Sequence, residues 1–182
     1  MILFIGANDC TLESCVSGQH VPLEEYKENL KKMVELLESH GMSKDRVILV
    51  NPLPYFHEEF TTKEPYFPPG VTRSRSNEAA AKYANACIET GTEIGITTLD
   101  AHKVFKQDKR GKGLLKDGLH LNPVGAQLLF EAVWSVVEKK ILEFNSSPSD
   151  PPPTHLEEQL PQWDDFGTVM VIGNSKINGK VN

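Results

Sequence analysis

An α/β fold with a parallel sheet is the class this sequence predicts, and two observations predict it. Three short apolar runs, at residues 2–5, 47–50 and 94–99, alternate with longer segments whose apolar residues recur at helical spacing. The first run is also continuously apolar instead of alternating, which suits a strand covered on both faces. Strand–helix alternation of this kind is the pattern of a parallel sheet.

The elements follow in order. Residues 2–5 form a strand ending at Gly6. Pro22 and the acidic pair Glu24 and Glu25 then open a helix, where the dipole favours negative charge. Tyr26, Leu30, Met33, Val34 and Leu37 give it an apolar stripe, and Gly41 supplies a stop. Residues 47–50 are the second strand, closed by Asn51-Pro52. The stretch 54–70, rich in Pro and aromatics, reads as an irregular surface loop. An alanine-based helix is expected over 77–89, a third strand over 94–99, and a short helical stretch around Val104 and Phe105. Asn122 and Pro123 open the last helix as cap and first-turn residue. Its stripe is Ala126, Leu129, Phe130, Val133, Trp134, Val137 and Ile141. The organisation is thus a domain over 1–144, a Pro/Ser-rich linker over 145–159 and a C-terminal tail over 160–182.

Bulk properties narrow the function classes. The 182 residues are 39% hydrophobic and 24% charged, with a formal net charge of -6 and a mean hydropathy of -0.34. An acidic chain without a basic cluster is a poor partner for nucleic acid or an anionic membrane surface. No apolar run approaches the roughly 18 residues of a membrane span. Cys10, Cys15 and Cys87 contain no CxxC pair and leave one over in any disulfide scheme, so they read as reduced thiols of a cytoplasmic protein and not as a metal site.

Two constellations carry chemistry. Gly6-Ala7-Asn8-Asp9 follows the first strand, where parallel sheets collect their active-site loops. A glycine there permits a tight turn, and the Asn8 amide can donate to a developing oxyanion, although Gly and Asn-Asp are also ordinary turn residues. Asp117-Gly118-Leu119-His120 lies directly before the last helix. A carboxylate three residues ahead of a histidine can accept from Nδ1 and leave Nε2 free to take a proton; a solvated loop histidine beside an acid is the plain alternative.

Together, Gly-x-Asn-Asp after an apolar strand and Asp-Gly-x-His-x-x-Pro before a C-terminal helix resemble two of the four blocks of the SGNH (GDSL) hydrolases. Residues 20–26 (HVPLEEY), 83–87 (YANAC), 117–121 (DGLHL) and 160–165 (LPQWDD) are similar to the isoamyl acetate-hydrolysing esterase branch. The resemblance implies a flavodoxin-like three-layer αβα sheet and a serine esterase for small acyl esters, with no metal or organic cofactor. It makes Asn8 an oxyanion-hole donor, Asp117 the group that orients the histidine, His120 the general base, and Gly6 and Asp9 keepers of the loop geometry.

The family's first block, a Gly-Asp-Ser carrying the nucleophile, does not occur in the sequence. The resemblance therefore implies a fold missing its first two strands, roughly 60 residues at about 30 per βαβ unit, and a chain inactive alone. The family's sheet order also turns residues 2–5 into an exposed apolar edge, open to strand addition or self-association. A non-catalytic interaction protein using that edge is the alternative; a binding module without hydrolase ancestry leaves the Asn8 and Asp117/His120 coincidence unexplained. A circular permutation is conceivable because 168–172 (TVMVI) runs into Gly173-Asn174-Ser175, but only seven residues follow Ser175. Ser14 and Ser17 lie on a loop without a strand-to-helix turn. Cys10 and Cys15 read as passive thiols, and His57 and His102 as surface or loop histidines. Tyr55, Phe56, Tyr66 and Phe67 either line an apolar pocket or pin the 54–70 loop to the core.

Overall fold

The computed structural model describes residues 1–13, 18–56 and 75–145. Met1–Lys139 forms one compact unit, and the described part of the second unit is the end of the last helix, to Asn145. The expected linker and tail, with Ser175 and the 160–165 patch, lie outside the described residues. So do Ser14, Cys15, Ser17, His57, Tyr66 and Phe67.

Three parallel strands, β1 (Ile2–Phe4), β2 (Ile48–Val50) and β3 (Thr97–Leu99), pair in the order β1-β2-β3. Ile2, Leu3 and Phe4 sit opposite Ile48, Leu49 and Val50, which in turn face Thr97, Thr98 and Leu99. Period-2 alternation sends Leu3 and Leu49 to one face and Ile48 and Val50 to the other. Helices α1 (Leu23–Ser39) and α2 (Asn77–Ile94) cover the first face. Their core holds Tyr26, Leu30 and Val34 of α1 with Ala80, Tyr83, Ala86 and Cys87 of α2. Helix α4 (Pro123–Asn145) covers the second face through Leu129, Ala132, Val133, Val136 and Val137. The result is the expected three-layer αβα arrangement. Burying each large aliphatic side chain of these layers contributes about 1.5–3 kcal/mol. Cross-helix ion pairs such as Lys31–Glu93 (2.6 Å) lie on the surface and contribute little.

Several boundaries differ from the sequence reading, each for a packing reason. Helix α2 runs on through Thr90 and Gly91 to Ile94, and Gly95 caps it in the left-handed conformation, so β3 starts only at Thr97. Gly91, beyond the expected helix end at 89, is where the helix backs onto the sheet; a Cβ there would run into the Thr98 hydroxyl. On α4 the buried ridge is rotated from the expected stripe. Phe130 (59% exposed) and Trp134 (49%) face outward and stack on each other with ring centroids 6.2 Å apart. Met33 likewise projects from α1.

His102 is a further correction. It is buried near the start of α3 (Ala101–Gln107), with its backbone N–H on Asn51 Oδ1 (2.9 Å) and Nδ1 beside the Pro52 carbonyl (3.2 Å). Burial lowers its pKa, against the opposing Pro52 and Asp100 contacts. Asn51, fully buried, also donates to Asp100 Oδ1 (2.9 Å), and Asp100 caps α3 by accepting from the Lys103 N–H. This satisfied network ties β2 to α3 behind the sheet's carboxyl end.

The expected apolar edge is present. Among the described residues β1 pairs with β2 alone, and Met1 (54%), Ile2 (45%) and Phe4 (40%) are exposed. No described helix is long and apolar enough to cross a membrane.

Candidate active site

Beyond the carboxyl end of β1 the chain turns sharply at Gly6, whose φ is +109°. Its carbonyl accepts from the Cys10 N–H (3.1 Å), and the Asn8 carbonyl from the Thr11 N–H (3.0 Å). The turn lies directly on Tyr26 of α1. A Cβ at position 6 would come within 2.8 Å of the Tyr26 hydroxyl, which itself donates to the Ile5 carbonyl (3.4 Å). A side chain at position 6 therefore meets both an unfavourable φ and an occupied space. Asp9 takes part through its backbone carbonyl, which accepts from the Val21 N–H (3.2 Å).

The second loop is held mainly by its own residues, with one bond from outside: the Gly118 carbonyl accepts from the Phe56 N–H (2.9 Å). Asp117 Oδ1 accepts from the backbone N–H groups of Leu119 (3.0 Å) and His120 (2.8 Å), and its Oδ2 lies 2.7 Å from His120 Nδ1. Gly118, with φ +87°, lets the chain reverse between them. Partial burial pushes the Asp117 carboxyl upward, but the His120 and Leu119 N–H groups and the imidazole outweigh it and hold the pKa at about 2. A carboxylate fixed by two backbone donors presents one oxygen to Nδ1, so Nδ1 carries the proton and Nε2 is left as an acceptor. The side chain of His120 is 69% exposed and that of Asp117 only 21%, so the acid lies behind and the imidazole faces out. An antiparallel bridge between Leu115 and Leu121 pins the base of the loop. Asn122 then caps α4 by accepting from the Gly125 N–H (2.9 Å), as expected from Asn122-Pro123.

These two loops open on one cavity of about 360 Å³, lined by Asn8 and His120 together with Arg75, Ser76 and a largely apolar wall that includes Phe4, Leu53, Tyr55 and Leu121. Tyr55 is buried and its N–H donates to Asn77 Oδ1 (2.8 Å), so the residue both lines the pocket and pins its loop to α2. Two other groups on the wall carry a hydroxyl or thiol, and neither is set up to attack. Ser76 Oγ caps α2 by accepting from the Ala79 N–H (3.0 Å). Cys10 is buried, and that burial pushes its thiol up to about 11, the opposite of an activated thiolate. Among the described residues no cluster of His, Cys, Asp or Glu has the geometry of a metal site.

Arg75 is the residue that the sequence reading missed. Only 5% exposed, it donates through Nη2 to Asn8 Oδ1 (2.9 Å) and through Nη1 to the Ala7 carbonyl. It stands 67 residues from Asn8, in a stretch whose only local signal is the following Ser76 cap.

The chain is similar to known proteins. The sequence profile of the GDSL-like lipase/acylhydrolase family matches residues 1–128. The chain is 38% identical over 139 residues to the human isoamyl acetate-hydrolysing esterase 1 homologue, covering 76% of this chain and 55% of that protein. It is 28% identical to the isoamyl acetate-hydrolysing esterase of Saccharomyces cerevisiae, covering 90% and 63%. The chain thus spans a little over half the length of these relatives. In fold it is similar to a lipase/acylhydrolase from Enterococcus faecalis, with a TM-score of 0.58 at 22% identity over 82% of this chain and 64% of that one. The Asn8 turn and the Asp117–His120 loop both lie inside the matched region, and the chain belongs to the GDSL-like lipase/acylhydrolase family.

Proposed function

We propose that this chain supplies the acid, the base and one oxyanion donor of a serine ester hydrolase acting on small acyl, acetate-like esters. The observation that carries the reading is the Asp117–His120 pair, 2.7 Å apart, opening on the same cavity as Asn8. In this mechanism Asp117 holds the Nδ1–H tautomer and His120 Nε2 takes the proton from a serine hydroxyl as its oxygen attacks the ester carbonyl. Asn8 donates to the oxyanion, Asp9 and Gly6 keep that loop in shape, and His120 returns the proton to the departing alcohol. Water then repeats the sequence on the acyl-enzyme. No cofactor enters this chemistry. A small apolar cavity suits a short acyl group, and the names of the human and yeast relatives point to acetate esters. The buried, unpaired thiols Cys10 and Cys87 suit a reducing, cytoplasmic setting.

The reading assigns the nucleophile to a Gly-Asp-Ser block that these 182 residues do not contain. Losing the nucleophile of a cooperative serine–histidine unit costs on the order of 10⁶ in rate, so the 182-residue chain by itself is inactive. Fluorophosphonate labelling of the folded chain, followed by peptide mass spectrometry, tests this directly. No labelled serine is expected. Labelling that requires His120, at Ser175 or elsewhere, would overturn it. Extending the chain with strand–helix units that carry Gly-Asp-Ser is expected to create aryl acetate turnover that His120→Ala abolishes; extension without any gain counts against the esterase reading itself.

A second reading is favoured by the exposed β1 edge. Unpaired strand edges with apolar side chains accept further strands, and Ile2 and Phe4 offer such an edge. In this reading the chain associates with itself or with a relative through β1, and the interaction is its function. Concentration-dependent sedimentation that Ile2→Lys abolishes is the expected result, and a monomer at all concentrations rejects it.

A further inference from the structure

An asparagine serves an oxyanion only when its NH₂ faces the reacting carbonyl, and nothing in Asn8 itself decides that. The terminal torsion of a carboxamide is soft and roughly two-fold, and Asn8 is exposed on the wall of an open cavity. The decision falls to Arg75. A guanidinium has five donors and no acceptor, so the Asn8 atom 2.9 Å from Arg75 Nη2 is the amide oxygen, and the NH₂ turns away from the guanidinium.

Three features make this arrangement a lock. Arg75 is buried, so its side chain has little freedom to follow Asn8 if the amide rotates. It immediately precedes Ser76, the N-cap of α2, which anchors its backbone to the start of an 18-residue helix. Its second nitrogen holds the Ala7 carbonyl, so the guanidinium spans two successive residues of the Asn8 turn. A charge-assisted bond to the amide oxygen also polarises the carboxamide and strengthens its N–H groups as donors.

We infer that Arg75 is a positioning residue that fixes and polarises the Asn8 carboxamide with its NH₂ presented to the cavity. This rests on Asn8 being the oxyanion donor. Arg75 acts through Asn8, whose own donation is worth about 10²–10³ in kcat in comparable sites.

Nuclear magnetic resonance of the Asn8 side-chain NH₂ in the full chain tests this without any turnover. In the unaltered protein the group is expected to be rigid, with an order parameter of about 0.85. In Arg75→Ala it falls below about 0.6, while the Asp117–His120 signals stay in place. Methylguanidinium added to Arg75→Ala restores the original Asn8 signals. Arg75→Lys, a gentler change, shifts them too, because one ammonium cannot reproduce a fork across two acceptors. Asn8 signals unmoved in Arg75→Lys, or unmoved in Arg75→Ala while those of Ala7 shift, would overturn the inference and leave Arg75 as a staple of the backbone. The labelling experiment and this one fail independently: a labelled serine refutes the nucleophile assignment without moving Asn8, and an indifferent Asn8 refutes the Arg75 role without producing a labelled serine.

Discussion

The two loops that meet at the cavity orient their functional side chains in different ways. The Asp117–His120 pair is set by its own loop: acid, turn glycine and imidazole lie within four residues, and the carboxylate bonds to the loop backbone, with Phe56 N–H on the Gly118 carbonyl as the outside tie. The Asn8 turn has its own backbone bonds, but its side-chain amide is held from outside, with Tyr26 beneath the turn and Arg75, 67 residues along the chain, on the amide oxygen. A base must be fixed relative to its acid, and short-range geometry can do that. An oxyanion donor must be fixed relative to a reacting atom elsewhere, and only the packed core provides such a reference.

Removing the outside support is the strongest way to break this comparison. Tyr26 is 1% exposed and lies at the centre of the α1–α2 core. Tyr26→Ala is expected to cost about 3–5 kcal/mol in urea unfolding, as large aromatic truncations do. Near-native conditions should then show the Asn8 turn exchanging amide protons well before the His120 loop. Equal protection in the two loops would show that they share one support.

Gly6→Ala is more selective. The φ of +109° and the 2.8 Å approach to the Tyr26 hydroxyl predict a loss of about 1–3 kcal/mol. Chemical shifts should move around Asn8 and stay fixed around His120. A neutral substitution would mean that the turn does not depend on this backbone conformation.

On the other side, Asp117→Asn should change the imidazole more than the fold. An amide oxygen can still accept from the Leu119 and His120 N–H groups, so stability falls by no more than about 1 kcal/mol. Its NH₂ donates where the carboxylate accepted, so the His120 proton moves from Nδ1 to Nε2, visible in the ¹⁵N spectrum of the ring. In a complete site that tautomer costs about 10⁴ in kcat in serine proteases. An unchanged tautomer would mean that Asp117 does not set it.

The smallest effect is that of acid. Because the folded Asp117 pKa, about 2, lies below the ordinary value, its contribution is fully present above about pH 4 and is lost as pH falls through 2. The group is near the surface, so the loss is small and local. It is expected as a coordinated shift of the Leu119 and His120 amide signals in that window, with the Asn8 turn silent. A transition centred near pH 4 would contradict the anchoring described here.

Particular residues show what was legible. Asn122-Pro123, Glu24 and Glu25, and Asp117-Gly118-Leu119-His120 each act within about one turn of chain, so each could be read directly. Gly91 could not. It lies beyond the helix expected over 77–89, and only its close approach to Thr98 shows why a glycine stands in the helix there. His102 offers no local sign of its burial, which comes from Asn51 and Pro52 some 50 residues away. The apolar identity of Phe130 and Trp134 likewise did not reveal that α4 turns Ala132 and Val136, beside the expected Val133 and Val137, to the sheet in their place.

By itself the sequence determined the α/β class, the order of strands and helices, and the acid–histidine pair, because periodicity, capping and i,i+3 hydrogen bonds are short-range. The tertiary structure decided which way the Asn8 amide points, that Arg75 belongs to the site, and that Asn8 and His120 share one cavity. Those relations join residues tens of positions apart, and no local preference encodes a distance that exists only once the core has packed.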